Sequence, residues 1–129
     1  MADAFDLMST YAQLRDDGSA LVTEGGNAFW SSLASRPELH GGRLLGATAQ
    51  TQDWPHWEMH PAGDEILILM SGAFGLQIEH VDGRVETIEM RAGSTCVVPK
   101  GLWHRGLARA PGELVFITPG AGTQHRAVG

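Results

Sequence analysis

Apolar positions in the first eighteen residues, Phe5, Met8, Tyr11 and Leu14, fall three apart, which is the spacing of one helical face. Asp3 and Asp6 favour the positive end of such a helix, and Arg15 before Gly18 offers a stop, so this stretch reads as a short amphipathic helix. Gly25-Gly26-Asn27 then gives a break and an N-cap before Ala28-Phe29-Trp30-Ser31-Ser32-Leu33, a second short helix closed by Pro37. From Arg43 the texture changes to short alternating or apolar runs, separated every eight to twelve positions by Gly, Pro or Asp-Gly. Strands are expected at about 43–50, 54–60, 65–70, 74–81, 84–90, 94–98, 103–107 and 113–118. Asp82-Gly83 is a hairpin turn whose central positions favour positive φ, and Val98-Pro99-Lys100-Gly101 is a turn with proline presetting φ. The stretch from Pro119 reads as a surface loop. The fold class is therefore all-β, a small antiparallel barrel at 43–118 with one or two short N-terminal helices within 1–42 and a tail at 119–129.

A chain of 129 residues with no linker or repeat fits one domain, and 43% apolar residues suffice for a core. The net charge of −6, with nine Lys and Arg scattered singly, argues against nucleic acid as a partner. The longest uncharged run, Ile66 to Ile78, is broken by Ser71-Gly72 and Gly75 and falls short of the roughly twenty residues a spanning helix needs. No membrane segment is expected. The acidic start, Met1-Ala2-Asp3-Ala4-Phe5-Asp6, differs from the basic and then hydrophobic pattern of a secretory signal, so a cytoplasmic location is expected. Cys96 is the only cysteine, which rules out an intrachain disulfide and reads as a small buried hydrophobe.

Candidate chemistry gathers around four side chains, Glu58, His60, Glu65 and His104. In a strand Glu58 and His60 share a face while Trp57 and Met59 take the other, and Pro61-Ala62-Gly63 turns the chain so that Glu65 faces them from the next strand. Two imidazoles and two carboxylates suit a divalent ion, Fe, Mn, Ni or Zn. Two strand positions span about 6.6 Å, so Glu58 and His60 can converge on one ion. His56 lies about 13 Å from His60 along the same strand, which places it nearer the mouth beside Trp54. There it can meet a ligand or, like Glu58, carry a proton. Leu67, Leu69 and Phe116 extend the Glu65 face into an apolar pocket, suited to a small ligand that meets the metal through one or two oxygens. Trp103 is expected on the face opposite His104, and His40, His80, His125, Arg43 and Arg105 on the surface. Two apolar N-terminal segments and three tryptophans on outward faces exceed what one small barrel hides, so a homodimer is expected.

The spacing around these residues forms two blocks. His60, four residues, Glu65, six residues and Gly72 make the first; Gly93, five residues, Pro99, one residue, Gly101, two residues and His104 make the second. They resemble the paired motifs of the cupin superfamily, over Trp57–Gly72 and Gly93–His104 directly and over about 43–118 by strand pattern. The wording Trp57-Glu58-Met59-His60-Pro61-Ala62-Gly63-Asp64-Glu65 is similar to that of small single-domain bacterial cupins of unassigned activity. The resemblance implies a jelly-roll barrel holding one metal ion. Three departures stand out: Glu58 where the family has its first His, Gln52 where it has Gly, and Ala108 where it has Asn. A second carboxylate in place of an imidazole hardens the site and favours iron, manganese or nickel without excluding zinc. The implied function is a metal-dependent enzyme on a small oxygen-bearing molecule, of dioxygenase, isomerase or lyase type. The alternative is a non-catalytic small-molecule binding or sensor cupin.

Overall fold

Residues 3–129 are described by a computed structural model; Met1 and Ala2, part of the stretch read as a first helix, lie outside them. The elements are β1 (Thr10–Leu14), β2 (Ala20–Glu24), α1 (Asn27–Ser32), β3 (Arg43–Gln50), β4 (His56–Met59), β5 (Glu65–Leu69), β6 (Ala73–Glu79), β7 (Val85–Arg91), β8 (Thr95–Val98), β9 (Trp103–Ala110), β10 (Gly112–Thr118) and β11 (Gln124–Ala127). They form two antiparallel sheets, β2-β1-β3-β10-β5-β8 and β11-β4-β9-β6-β7, packed as a jelly roll. No helix among the described residues is long and apolar enough to cross a membrane.

Each of the eight segments read as strands between Arg43 and Thr118 is a strand, β3 to β10. Gly83, with φ of 87°, closes the β6–β7 hairpin where a residue with a Cβ would be strained, but Asp82 does not adopt the positive φ expected of it. Pro55 stands just before β4, which starts at His56 rather than at Trp54. Side-chain alternation then builds the core. Leu67 and Leu69 of β5 with Leu114 and Phe116 of β10 face Phe74, Leu76 and Ile78 of β6, all buried.

Two expectations fail. Residues 3–18 do not form a helix; residues 10–24 are a β-hairpin in which Thr10 pairs with Glu24 and Leu14 with Ala20. Asp17-Gly18 turns the hairpin, with Gly18 at φ 88° and the Asp17 carboxylate accepting from the Ser19 amide at 2.9 Å. β1 also pairs with the edge of β3, Ala12 opposite Leu45, and Tyr11 packs edge-on against Phe29 at 5.3 Å and Phe116 at 5.4 Å. A free sheet edge and an aromatic cluster outweigh a weak helical spacing. The second helix is present as α1, followed by 3-10 turns at Leu33–Ser35 and Pro37–Leu39.

The tail is likewise no plain loop, since β11 pairs with β4 along Gln124–Ala127. What holds it is Arg126, whose guanidinium lies 4.7 Å from the Trp103 ring centre and 5.4 Å from that of Trp57. The same group donates to the Glu79 carboxylate at 2.7 Å. Trp57 and Trp103 thus stand on the outward face of their sheet, and their inward neighbours are the candidate site residues.

Candidate metal centre

Two tight turns set the ligand positions. The turn after β4 is latched to the turn before β9 by the Gly101 amide donating to the His60 carbonyl at 3.1 Å and the Lys100 amide donating to Asp64 at 2.7 Å. Across the strands, Glu58 of β4 lies directly opposite His104 of β9, and Glu65 opens β5 on the core face. Four candidates therefore meet. His104 Nε2 is 2.9 Å from Glu65 Oε1, His60 Nε2 is 3.4 Å from Glu65 Oε2, and His60 Nε2 is 3.8 Å from Glu58 Oε2. Ligand atoms about 2.1 Å from a tetrahedral ion stand about 3.4 Å apart, so this spacing fits one ion between them.

The hydrogen bonds around the cluster direct its lone pairs inward. Thr123 spends its hydroxyl proton on the Gly120 carbonyl at 2.8 Å, so His60 Nδ1, 2.8 Å from the same oxygen, must be the donor. His104 Nδ1 donates to the Leu102 carbonyl at 3.3 Å. Both imidazoles thus present an unprotonated Nε2 to the centre. Thr118 donates to Glu65 Oε2, leaving Oε1 free. His60 Nε2, His104 Nε2 and Glu65 Oε1 are buried, and none of the three has a hydrogen-bond partner. Three acceptors aimed at one another cost free energy unless a cation or a proton lies among them.

The ionisation of the same groups carries this imprint. Burial pushes the Glu65 carboxyl up, but the facing His104 and His60 imidazoles outweigh burial and bring it down to about 2. Burial pushes His104 down, and the Glu65 carboxylate outweighs it, so its pKa is raised.

His56 lies apart from His60, near the mouth, with Nε2 3.6 Å from Glu58 Oε1. Trp54 packs edge-on against His104 at 5.9 Å and donates from its indole to Gln50 at 2.7 Å. Gly106 makes room for that ring, since a Cβ there would overlap both Trp54 and Phe74. Arg105 donates to the Trp54 carbonyl at 2.9 Å, and His40 and His80 bond to Leu33 and Glu86 away from the centre.

Sequence reasoning missed Thr118, Thr123 and the placement of His125. Thr118 was within reach of the period-two rule, because it shares the inward face of β10 with Leu114 and Phe116. Thr123 carries no sequence signal. His125 Nε2 sits 3.6 Å from Glu58 Oε1. The ligand cluster opens into a cavity of about 1320 Å³ reaching to α1, walled by Leu33, Leu39, Leu44, Leu67, Leu114 and Phe116 and by the Trp54 ring. Asp53, Glu58 and Glu65 line it, and among the described residues no Lys or Arg does.

No protein-family model and no curated protein matches the chain. Solved structures do share its fold. A cupin-2 domain protein from Shewanella frigidimarina NCIMB 400 matches with a TM-score of 0.51 and 23% identity over 60% of this chain and 70% of that one. Hydroquinone 1,2-dioxygenase from Sphingomonas sp. TTNP3, with 4-hydroxybenzoate bound, matches with 0.54 and 19% over 61% of this chain and 60% of that one. Bacillus subtilis oxalate decarboxylase, a protein with Mn(II) centres, matches with 0.58 and 15% over 74% of this chain but 26% of that one. The chain has the cupin fold. Identities this low carry the architecture and no activity.

Proposed function

We propose that the chain is a metal-dependent cupin enzyme, with Glu58, His60, Glu65 and His104 holding one divalent ion, Fe, Mn, Ni or Zn. The substrate class is a small, uncharged, oxygen-bearing molecule with an apolar body. The observation that carries the metal reading is the convergence of three buried, unpartnered acceptor atoms. The cavity supports the substrate class. A doubly charged ion is balanced by the Glu58 and Glu65 carboxylates, and no Lys or Arg among the lining residues offsets a further negative charge. The leucine and phenylalanine walls suit an apolar body.

When bound, the ion supplies Lewis acidity to a substrate oxygen and, as iron or manganese, redox chemistry. The chain's own groups do the rest. His60 and His104 are held in one tautomer by Thr123 and the Leu102 carbonyl, so their lone pairs need no rearrangement to bind. Trp54 and the apolar walls exclude water and hold the substrate body. His56, partly exposed and 3.6 Å from Glu58, would carry a proton between solvent and the centre.

The test is elemental analysis of purified protein, then neutral phenols and diketones against small dicarboxylates such as oxalate, followed by oxygen uptake and product analysis. Turnover of the neutral compounds alone supports the proposal. Preference for a dicarboxylate overturns the substrate class. Metal-dependent binding without turnover of any compound instead supports a binding or sensor protein.

A further inference from the structure

Four of the six histidines gather around one carboxylate, and the buried centre accounts for two of them. The other two, His56 and His125, sit at the cavity mouth on the opposite side of Glu58. Their placement follows from strand register. His125 of β11 lies directly across from Glu58 of β4, Glu58 lies directly across from His104 of β9, and His56 precedes Glu58 by two residues on the same face. The two oxygens of Glu58 divide between the groups: Oε2 faces His60 at 3.8 Å, while Oε1 faces the Nε2 atoms of His56 and His125, each at 3.6 Å.

We propose that His56, Glu58 and His125 form a second cation site, bridged to the buried centre by the Glu58 carboxylate. The bridge rests on the reading of Glu58 as a ligand of the buried ion; the outer site does not. The spacing of 3.6 Å is close to the roughly 3.4 Å between two ligands of a tetrahedral ion. The three ligand atoms all lie within 4.8 Å of one another. The imidazole rings meet edge to face with centres 4.7 Å apart and planes at 86°, so both nitrogens reach the same carboxylate oxygen without stacking.

Among the described residues neither ring has a hydrogen-bond partner, in contrast to His40 and His80, which bond at 2.7 and 2.8 Å. The cavity also lacks a lining Lys or Arg to compete for the Glu58 charge.

Two imidazoles and one carboxylate with open positions toward solvent select zinc, cobalt, nickel or iron(II) over magnesium and calcium, which take oxygen ligands. Partial exposure makes this the weaker of the two sites. The lone pairs that would carry a proton in the proposed reaction are the ones the outer ion occupies, so loading this site and proton transfer through His56 exclude each other.

The test is cobalt(II) and zinc binding to the full chain by equilibrium dialysis with elemental analysis, alongside circular dichroism to establish folding. Wild type is expected to take two ions per chain in two steps. His56→Ala/His125→Ala, a change at the exposed mouth, should abolish the weaker step and keep the tighter one. His60→Ala/His104→Ala should remove the tighter step, and Glu58→Gln should weaken both by at least about tenfold. Saturation of wild type at one ion, or a second step untouched by His56→Ala/His125→Ala, overturns the outer site. If His60→Ala/His104→Ala removes nothing while the mouth variant does, the buried centre fails and the outer site stands. A Glu58→Gln effect on one step alone overturns the bridge.

Discussion

Replacing Thr123 by valine keeps the shape of the side chain and removes its oxygen, which isolates one hydrogen bond behind the buried centre. Thr123 Oγ1 accepts from His60 Nδ1 at 2.8 Å and donates to the Gly120 carbonyl at 2.8 Å. In Thr123→Val the His60 Nδ1–H loses its partner in a site where the imidazole is 5% exposed. An unsatisfied buried donor costs about 1–3 kcal/mol, which should appear as lower stability in urea. The tautomer is also released, and Nε2 can now carry the proton, closing the lone pair that faces the ion. Loss of such a supporting partner weakens metal binding by about 10- to 100-fold, or about 1.4 to 2.7 kcal/mol.

The assay is zinc affinity by chelator competition at neutral pH, with Thr123→Ser as the control that restores the hydroxyl. Wild-type affinity in the valine variant refutes the assigned tautomer. Equal weakening in the valine and serine variants, which share no lost group, refutes the hydroxyl as the group that supports the site.

His104→Ala should keep the far-UV circular dichroism of the barrel, since Phe74, Leu76, Leu67 and Leu114 remain packed, but lose bound metal on elemental analysis. Unchanged metal content contradicts the site. Phe74→Ala empties a fully buried position between the sheets and should lower urea stability by about 3–5 kcal/mol, with a loss under 1 kcal/mol counting against that core. In the ion-free protein the lowered Glu65 pKa contributes stability present above its ordinary 4.5 and lost as pH falls toward about 2. The raised His104 pKa contributes stability present below its ordinary 6.5 and lost as pH rises through the raised value. Bound metal needs neutral imidazoles, so the Tm difference between metal-loaded and ion-free protein should widen as pH rises above 6.5; a constant difference refutes the coupling.

The barrel was legible because each strand from β3 to β10 is a short run bounded by a turn with its own chemistry. Alternation and one tight turn suffice to bring Glu58, His60 and Glu65 together, whereas His104, which reaches them through β4–β9 pairing, was marked by the resemblance of the two motif blocks. β1 was not, because three-residue spacing among Phe5, Met8, Tyr11 and Leu14 carries no record of the β3 edge waiting to be paired. β11 was hidden differently. Three of its four residues are exposed, so no apolar alternation marks it, and its place depends on Arg126 meeting two rings far away in sequence. Thr123, in the turn just before β11, and His125, within it, were invisible as site residues because that strand was.

The geometry of that last strand would tie the proposed metal binding to a loosely paired corner of the fold. β11 has one neighbour, β4, and β4 in turn pairs with β9 at a single position, Glu58 opposite His104. Few ladder bonds hold this corner, which therefore opens at lower cost than the β5–β10 and β6–β9 pairings of the core. The candidate ligands span the gap. Glu58 and His60 lie at β4 and just beyond it, His104 is on β9 of the same sheet, and Glu65 is on β5 of the opposite one. An ion held by all four links the loosely paired corner to both sheets. Because it binds the closed arrangement and not the open one, its affinity adds directly to the stability of β4 and β11. Amide exchange in β4 and β11 should therefore slow on metal addition while exchange in β6, already protected by two full neighbours, changes little.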